Sequence, residues 1–172
     1  GRASAAPASD EVARLAQRCA PDVSPLTMAY IVGHESSNGP YRININGSIQ
    51  LKQQPRTEAE AVSVAKALLK DNKSFDMGLA QINSNNLVGL GLSVDDIFKP
   101  CINLRASQTI LKACYDSALK SYPAGQVALR HALSCYNTGS LTNGISNGYV
   151  TKVINVARQS TDLKIPTLLP DG

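Results

Sequence analysis

Residues 25–36, PLTMAYIVGHES, are apolar around almost the whole circumference of a helix and turn polar only at the end. A helix lying on a surface keeps a polar face, so one without it has to run through a core. Ser24 can cap it, and Pro25 stands at the first helical position, where a missing N–H costs nothing. Asn38-Gly39-Pro40 closes it. With 172 residues to wrap this rod, the chain is the size of one domain that buries ~70% of its unfolded surface.

The neighbouring segments carry their own signals. Ser9 can cap a helix from Asp10, with Val12, Leu15, Ala16 and Cys19 on one face and Pro21 at its end. Residues 41–51 alternate around Asn46-Gly47, which predicts a hairpin. Thr57-Glu58-Ala59-Glu60 is a capping box for a helix to about Lys70, with Ala61, Val64, Ala65 and Leu68 inward. Residues 74–82 read as a short strand or turn leading into a helix at 83–90, and Ser93 with Asp96 is a weaker capping signal. Pro100 starts a long helix to about Ser121, with Ile102, Ile110, Leu111, Cys114 and Ala118 on its apolar side. Further helices are expected at 126–136 and 148–160, separated by a loop rich in Gly and Asn. Residues 1–9 read as a flexible lead and 161–172 as a flexible tail around a domain at 10–160. The fold class is α+β, predominantly α-helical with one small β-ribbon.

Composition narrows the function. Seventeen Lys+Arg against 13 Asp+Glu give +4, with no basic run, which argues against nucleic acid and permits an anionic polymer. The longest apolar run, 26–32, falls far short of the ~20 residues of a membrane span. The four cysteines form no C-x-x-C pair and only His34 and His131 accompany them, so no metal site is expected. An even count fits two disulfides and an oxidising compartment, four buried thiols being the alternative; three pairings are open. There is no glycine-rich phosphate loop and no G-x-S-x-G elbow, and no cofactor is expected. The chain starts without Met and without a signal-peptide pattern; for an exported protein that corresponds to a mature or trimmed form.

Most of the 13 acids have a reason in stability. Asp10, Glu11, Glu58, Glu60, Asp95 and Asp96 stand at helix N-termini, and others fall in surface helix pairs, ends and tails. Glu35 and Asp76 remain. Glu35 closes an apolar helix, where the helix dipole and burial both disfavour its charge and raise its pKa. Such an acid suits general acid catalysis near neutral pH, against the alternative of an exposed side chain on the last turn. Asp76 precedes a glycine-containing turn and is expected to bond that turn's backbone N–H groups. The clusters Ser36-Ser37-Asn38, Asn44 with Asn46, Gln81 with Asn83, and Tyr136-Asn137 suit a sugar polymer, although Asn also belongs in turns.

Together four segments resemble a known family: Glu35-Ser36 at the end of the apolar helix, DMGLAQIN at 76–83, CYNTG at 135–139, and Tyr149. The chain resembles the soluble lytic transglycosylases, relatives of goose-type lysozyme with a lysozyme-like fold, over roughly residues 10–160. The stretch at 47–75 and the wording FDMGLAQIN and PCINL look most like the transglycosylases of type IV secretion systems. That similarity pairs Cys19 with Cys101 and leaves Cys114 with Cys135. Ala80 stands where many relatives carry Met, and Cys135 and Thr138 replace two alanines of the Tyr-Asn segment.

The resemblance implies cleavage of the β-1,4 bond from N-acetylmuramic acid to N-acetylglucosamine in peptidoglycan, by a periplasmic monomer that opens the wall for a secretion system. Glu35 would protonate the leaving oxygen and then deprotonate the C6 hydroxyl, which closes a 1,6-anhydro ring. Ser36, Gln81, Asn83, Tyr136, Asn137 and Tyr149 would bind the sugar, with Tyr149 also bonding Glu35 and helping to keep it protonated. Classical glycosidases need two carboxylates, whereas a substrate that brings its own nucleophile needs one. Three rival readings stay open: a muramidase with Asp76 as base, a non-catalytic glycan-binding module, and a structural helper of a secretion apparatus.

Overall fold

The helix predicted to be central, α2 (Pro25–Ser36), runs through the core of a computed structural model that describes residues 5–47, 49–146 and 148–151. Every side chain from Thr27 to Val32 is buried. Ser24 makes no side-chain cap bond; its carbonyl accepts from the Met28 N–H at 3.0 Å, and Pro25 alone sets the start. Ser37 and Asn38 adopt positive φ (53° and 68°) and turn the chain away after Ser36.

Helix α1 (Ala5–Cys19) packs on α2 through Val12, Ala16 and Cys19. It starts at Ala5 rather than Asp10, so Ser9 lies inside it and does not cap it. Alanine is the best helix former, and Pro7 falls within the first turn, where N–H groups have no partner anyway. Two long helices close the other side: α6 (Pro100–Leu119) and α7 (Gln126–Thr138) pack on each other, and α6 also meets α1. Disulfides Cys19–Cys101 and Cys114–Cys135 join α1 to α6 and α6 to α7, the pairing that the resemblance implied. A short helix (Asn143–Ser146) occupies part of the expected loop after α7. Residues 149–151 are helical, and the rest of the expected helix to 160 and the tail at 161–172 lie outside the described residues.

The ribbon differs from the predicted hairpin. Strand β1 (Ile43–Ile45) pairs antiparallel with β2 (Phe75–Met77), and β2 pairs with β3 (Ile82–Asn83), in the order β1-β2-β3. Residues 49–54 return beside β1 but form no ladder. Two glutamine side chains take the place of a strand there. Gln54 accepts from the Ile43 N–H at 2.8 Å and donates to the Ile43 carbonyl at 2.9 Å, and Gln50 does the same for Ile45 at 3.0 and 2.6 Å. The open edge of the sheet is thus satisfied by amides that imitate a backbone.

Helix α3 (Glu58–Lys70) buries Ala61 and Ala65, with Val64 and Leu68 partly inward. Where a helix was expected at 83–90, the chain forms a 3-10 turn (Ser84–Asn86) and then the single-turn helix α4 (Leu87–Leu90). Helix α5 (Val94–Ile97) follows, and Ser93 before it makes no side-chain cap bond. Thr57 caps it by accepting from the Glu60 N–H at 3.1 Å, while the Glu60 carboxylate reaches one residue further back, to the Arg56 N–H. No helix among the described residues is long and apolar enough to cross a membrane.

Candidate active site

The polar end of α2 delivers Glu35 into a cleft of about 530 Å³. The sheet contributes Asp76 and Asn83, the bend after β1 contributes Asn46, the turn between β2 and β3 contributes Gln81, and α7 contributes Tyr136 and Asn137. The Cys114–Cys135 disulfide and Ile110 form part of the wall. Residues that are distant in sequence meet here because the core helix, the sheet and the α6–α7 pair converge on one opening.

The half-buried Glu35 has its pKa pushed up to about 7. Burial is the main cause, since a desolvated carboxylate is costly, and the negative charge of Asp76 adds to it. A hydrogen bond from Tyr149 acts in the opposite direction. The Tyr149 hydroxyl donates to the carboxylate and so favours the charged form. This corrects the expectation that Tyr149 helps to keep Glu35 protonated: burial and Asp76 do so. Tyr149 itself is buried, stacks edge-on against His34 at 5.2 Å, and does not line the cleft. Burial and the Glu35 charge hold its own hydroxyl well above the usual tyrosine range.

Asp76 does not serve the turn behind it as expected. Its two carboxylate oxygens accept from side-chain amides, Asn83 Nδ2 at 2.8 Å and Asn46 Nδ2 at 3.2 Å. Asn46 in turn accepts from Ser74 Oγ at 2.7 Å and Asn83 Nδ2 at 2.9 Å. The β2–β3 register sets Asp76 directly opposite Asn83, so the sheet itself builds this cage.

The other expected residues divide. Gln81, at φ 54°, holds the turn together: it accepts from Asn44 Nδ2 at 2.7 Å and donates to the carbonyls of Arg42 and Gly78. The Tyr136 hydroxyl donates to the Ala80 carbonyl at 3.0 Å and lies 2.9 Å from Ser107 Oγ. Its ring borders the cleft while its oxygen ties α7 to the turn and to α6. Burial, then the charge of Glu35, pushes its pKa up. Asn137 is exposed on the cleft. Ser36 is buried and donates back to the Val32 carbonyl, so its side chain does not face the cleft.

Sequence reasoning missed Asn103, which is fully buried on α6. Its Oδ1 accepts from the Ala80 N–H at 2.8 Å, and its Nδ2 donates to the carbonyls of Met77 and Ile97. Gly78, at φ +77°, lies against this amide, where a Cβ would collide. Residue 80 is therefore held through its backbone on both sides, by Asn103 and Tyr136. The available signal was spacing: Asn103, Ser107 and Leu111 follow one another at i, i+4 and i+8 on the buried face. Asn86, also on the cleft, falls within the helix expected at 83–90 and carried no signal of its own.

The family model described as "Transglycosylase SLT domain" matches residues 14–153. The chain belongs to the transglycosylase SLT domain family. Its helical body and three-stranded sheet form the lysozyme-like fold. This SLT domain is 41% identical over 153 residues to "Type IV secretion system protein virB1" of Brucella suis, a match covering 86% of the chain and 64% of the relative. It is 37% identical over 149 residues to "Protein virB1" of Agrobacterium fabrum, covering 87% and 60%. The chain thus spans less than two thirds of the length of these curated relatives. No solved structure matches it. Among the described residues, no group of three or more His, Cys, Asp or Glu could hold a metal ion.

Proposed function

We propose that this SLT domain is a lytic transglycosylase that cuts the β-1,4 bond from N-acetylmuramic acid to N-acetylglucosamine in peptidoglycan. The observation that carries the proposal is a single carboxyl, Glu35, which is half-buried in a cleft of sugar-sized volume and pushed up to a pKa of about 7. At neutral pH a large share of it carries the proton a leaving oxygen needs. Protonation of the glycosidic oxygen breaks the bond to C1 of the muramic acid. The C6 hydroxyl of the same sugar then bonds to C1, and its proton passes to Glu35. The acid is regenerated, no water is consumed, and the product ends in a 1,6-anhydro ring.

Asp76 is less suited to act as a second acid or base, because both of its oxygens already accept amide hydrogen bonds. Its charge raises the proton affinity of Glu35 instead. Gln81, Asn83, Tyr136 and Asn137 contribute neutral donors, acceptors and a ring edge to the cleft, the chemistry that hydroxyl and acetamido groups need. Tyr149 and Ser36 support Glu35 and its helix from inside.

The names of the virB1 relatives support a role in type IV secretion. In that role the domain works as a monomer in the periplasm, opening the wall locally. Two disulfides fit such an oxidising compartment.

Asp76 lines the same cleft as Glu35, which makes a water-using muramidase the second reading. Mass spectrometry of digested peptidoglycan separates the two, since anhydro ends are one water lighter than hydrolytic ends. Anhydro ends that vanish in Glu35→Gln support the proposal. Reducing ends alone, or clearing by Glu35→Gln at the parent rate, would refute it.

A further inference from the structure

Among the described residues, the charged groups that line the cleft are Glu35 and Asp76, both acidic. Glu35 projects from α2 and Asp76 from β2, and they are close enough for one charge to act on the other. The remaining polar lining among the described residues is the amides of Asn46, Gln81, Asn83, Asn86 and Asn137, with the Tyr136 hydroxyl tied to Ala80 and Ser107. Asp76 cannot swing its charge away, because Asn46 and Asn83 hold one oxygen each. The chain as a whole is basic, at +4, yet its cleft presents fixed negative charge.

This matters for the sugar that reacts. The muramic acid carries a lactyl ether on its own ring. Where a stem peptide is attached, the lactyl carbonyl is a neutral amide. Where the peptide has been removed, the same position is a free carboxylate. The ring whose C1 reacts at Glu35 brings that group into the cleft.

Building on the transglycosylase reading, we infer that the cleft discriminates by charge at the lactyl group, favouring glycan strands that still carry their stem peptides over stripped strands with free lactyl carboxylates. With Glu35 protonated, as the reaction requires, a stripped strand sets a second negative charge beside the fixed Asp76 carboxylate and loses water from its own carboxylate on entry. The stem-bearing strand keeps any charges of its peptide further from the ring.

The test compares three substrates: stem-bearing glycan strands, strands stripped by an amidase, and stripped strands whose lactyl carboxylates are capped as methylamides. The rate of anhydro-end formation is read by mass spectrometry. Stripped strands should react about fivefold more slowly than stem-bearing ones at low salt, with the gap narrowing at high salt as the charges are screened. Capping should restore the rate although no peptide is present. In Asp76→Asn the ratio of the stem-bearing to the stripped rate should move toward one. Capped strands as slow as stripped ones would mean that the enzyme reads the peptide rather than the charge, and would overturn the inference. Equal rates on stripped and stem-bearing strands would overturn it as well. If none of the three yields anhydro ends, the transglycosylase reading itself fails and takes this inference with it.

Discussion

The buried Tyr149 hydroxyl hydrogen-bonds the Glu35 carboxyl and favours its ionised form, against the burial that holds a proton there. Glu35 is therefore balanced: desolvation and Asp76 pull its pKa upward, and one phenol holds it back. Tyr149→Phe keeps the ring and removes the donor. The descending limb of the pH–activity profile should move to higher pH, by up to about one unit. An unmoved or acid-shifted limb would show that the bond does not tune the acid.

In the parent protein, activity should be present below pH 7 and fall as pH rises through about 7, the value to which Glu35 is pushed. Stability follows the same proton. The folded state binds it more tightly than the unfolded chain, so stability declines as pH rises from the ordinary glutamate range through the folded pKa. Glu35→Gln removes that decline. By thermal denaturation it should be more stable than the parent by up to about 3 kcal/mol at pH 8, with little difference at pH 4. An equal difference at both pH values would mean that the carboxyl is not the source.

Gly78→Ala tests the clamp on the β2–β3 turn. The added Cβ would need positive φ and would strike the Asn103 amide, which is held by three hydrogen bonds and has no room to retreat. A loss of about 2–4 kcal/mol in denaturant unfolding is expected. Asn103→Ala should cost a comparable amount by leaving the Ala80 N–H and the Met77 and Ile97 carbonyls short of partners. If both variants unfold at the parent midpoint, the clamp has no energetic weight.

Replacing both Cys114 and Cys135 by Ala releases α7 from α6 next to the cleft. The bridge closes a sequence separation of 21 residues, which corresponds to about 3 kcal/mol of stability. Because Cys135 adjoins Tyr136, the loss of activity at temperatures where the variant stays folded should exceed that of the Cys19–Cys101 pair similarly replaced. The latter bridge does not line the cleft. Equal residual activities in the two variants would argue against a positioning role.

The acid of the candidate site was legible in the sequence. An all-round apolar helix has to be buried, and a carboxyl at its end has to be poorly solvated, so Glu35 stood out before any tertiary contact was known. The hairpin at 41–51 was misread because the alternation of Ile43 to Ile45 specifies a strand without naming its partner. The strand it joins lies some 30 residues away, and two glutamine side chains replace the nearer one. Asn103 was hidden because a polar residue on a helix usually marks the solvent face, and only a buried turn with free backbone groups makes it a core residue.

Local physics therefore assigned the helices, the core rod and the acid, since periodicity, capping and dipoles act over a few residues. The cage around Asp76, the return of Tyr136 to Ala80 and the closing of the cleft were decided in three dimensions. Each joins segments far apart in the chain, and an amide can satisfy many partners equally well until packing leaves it only one.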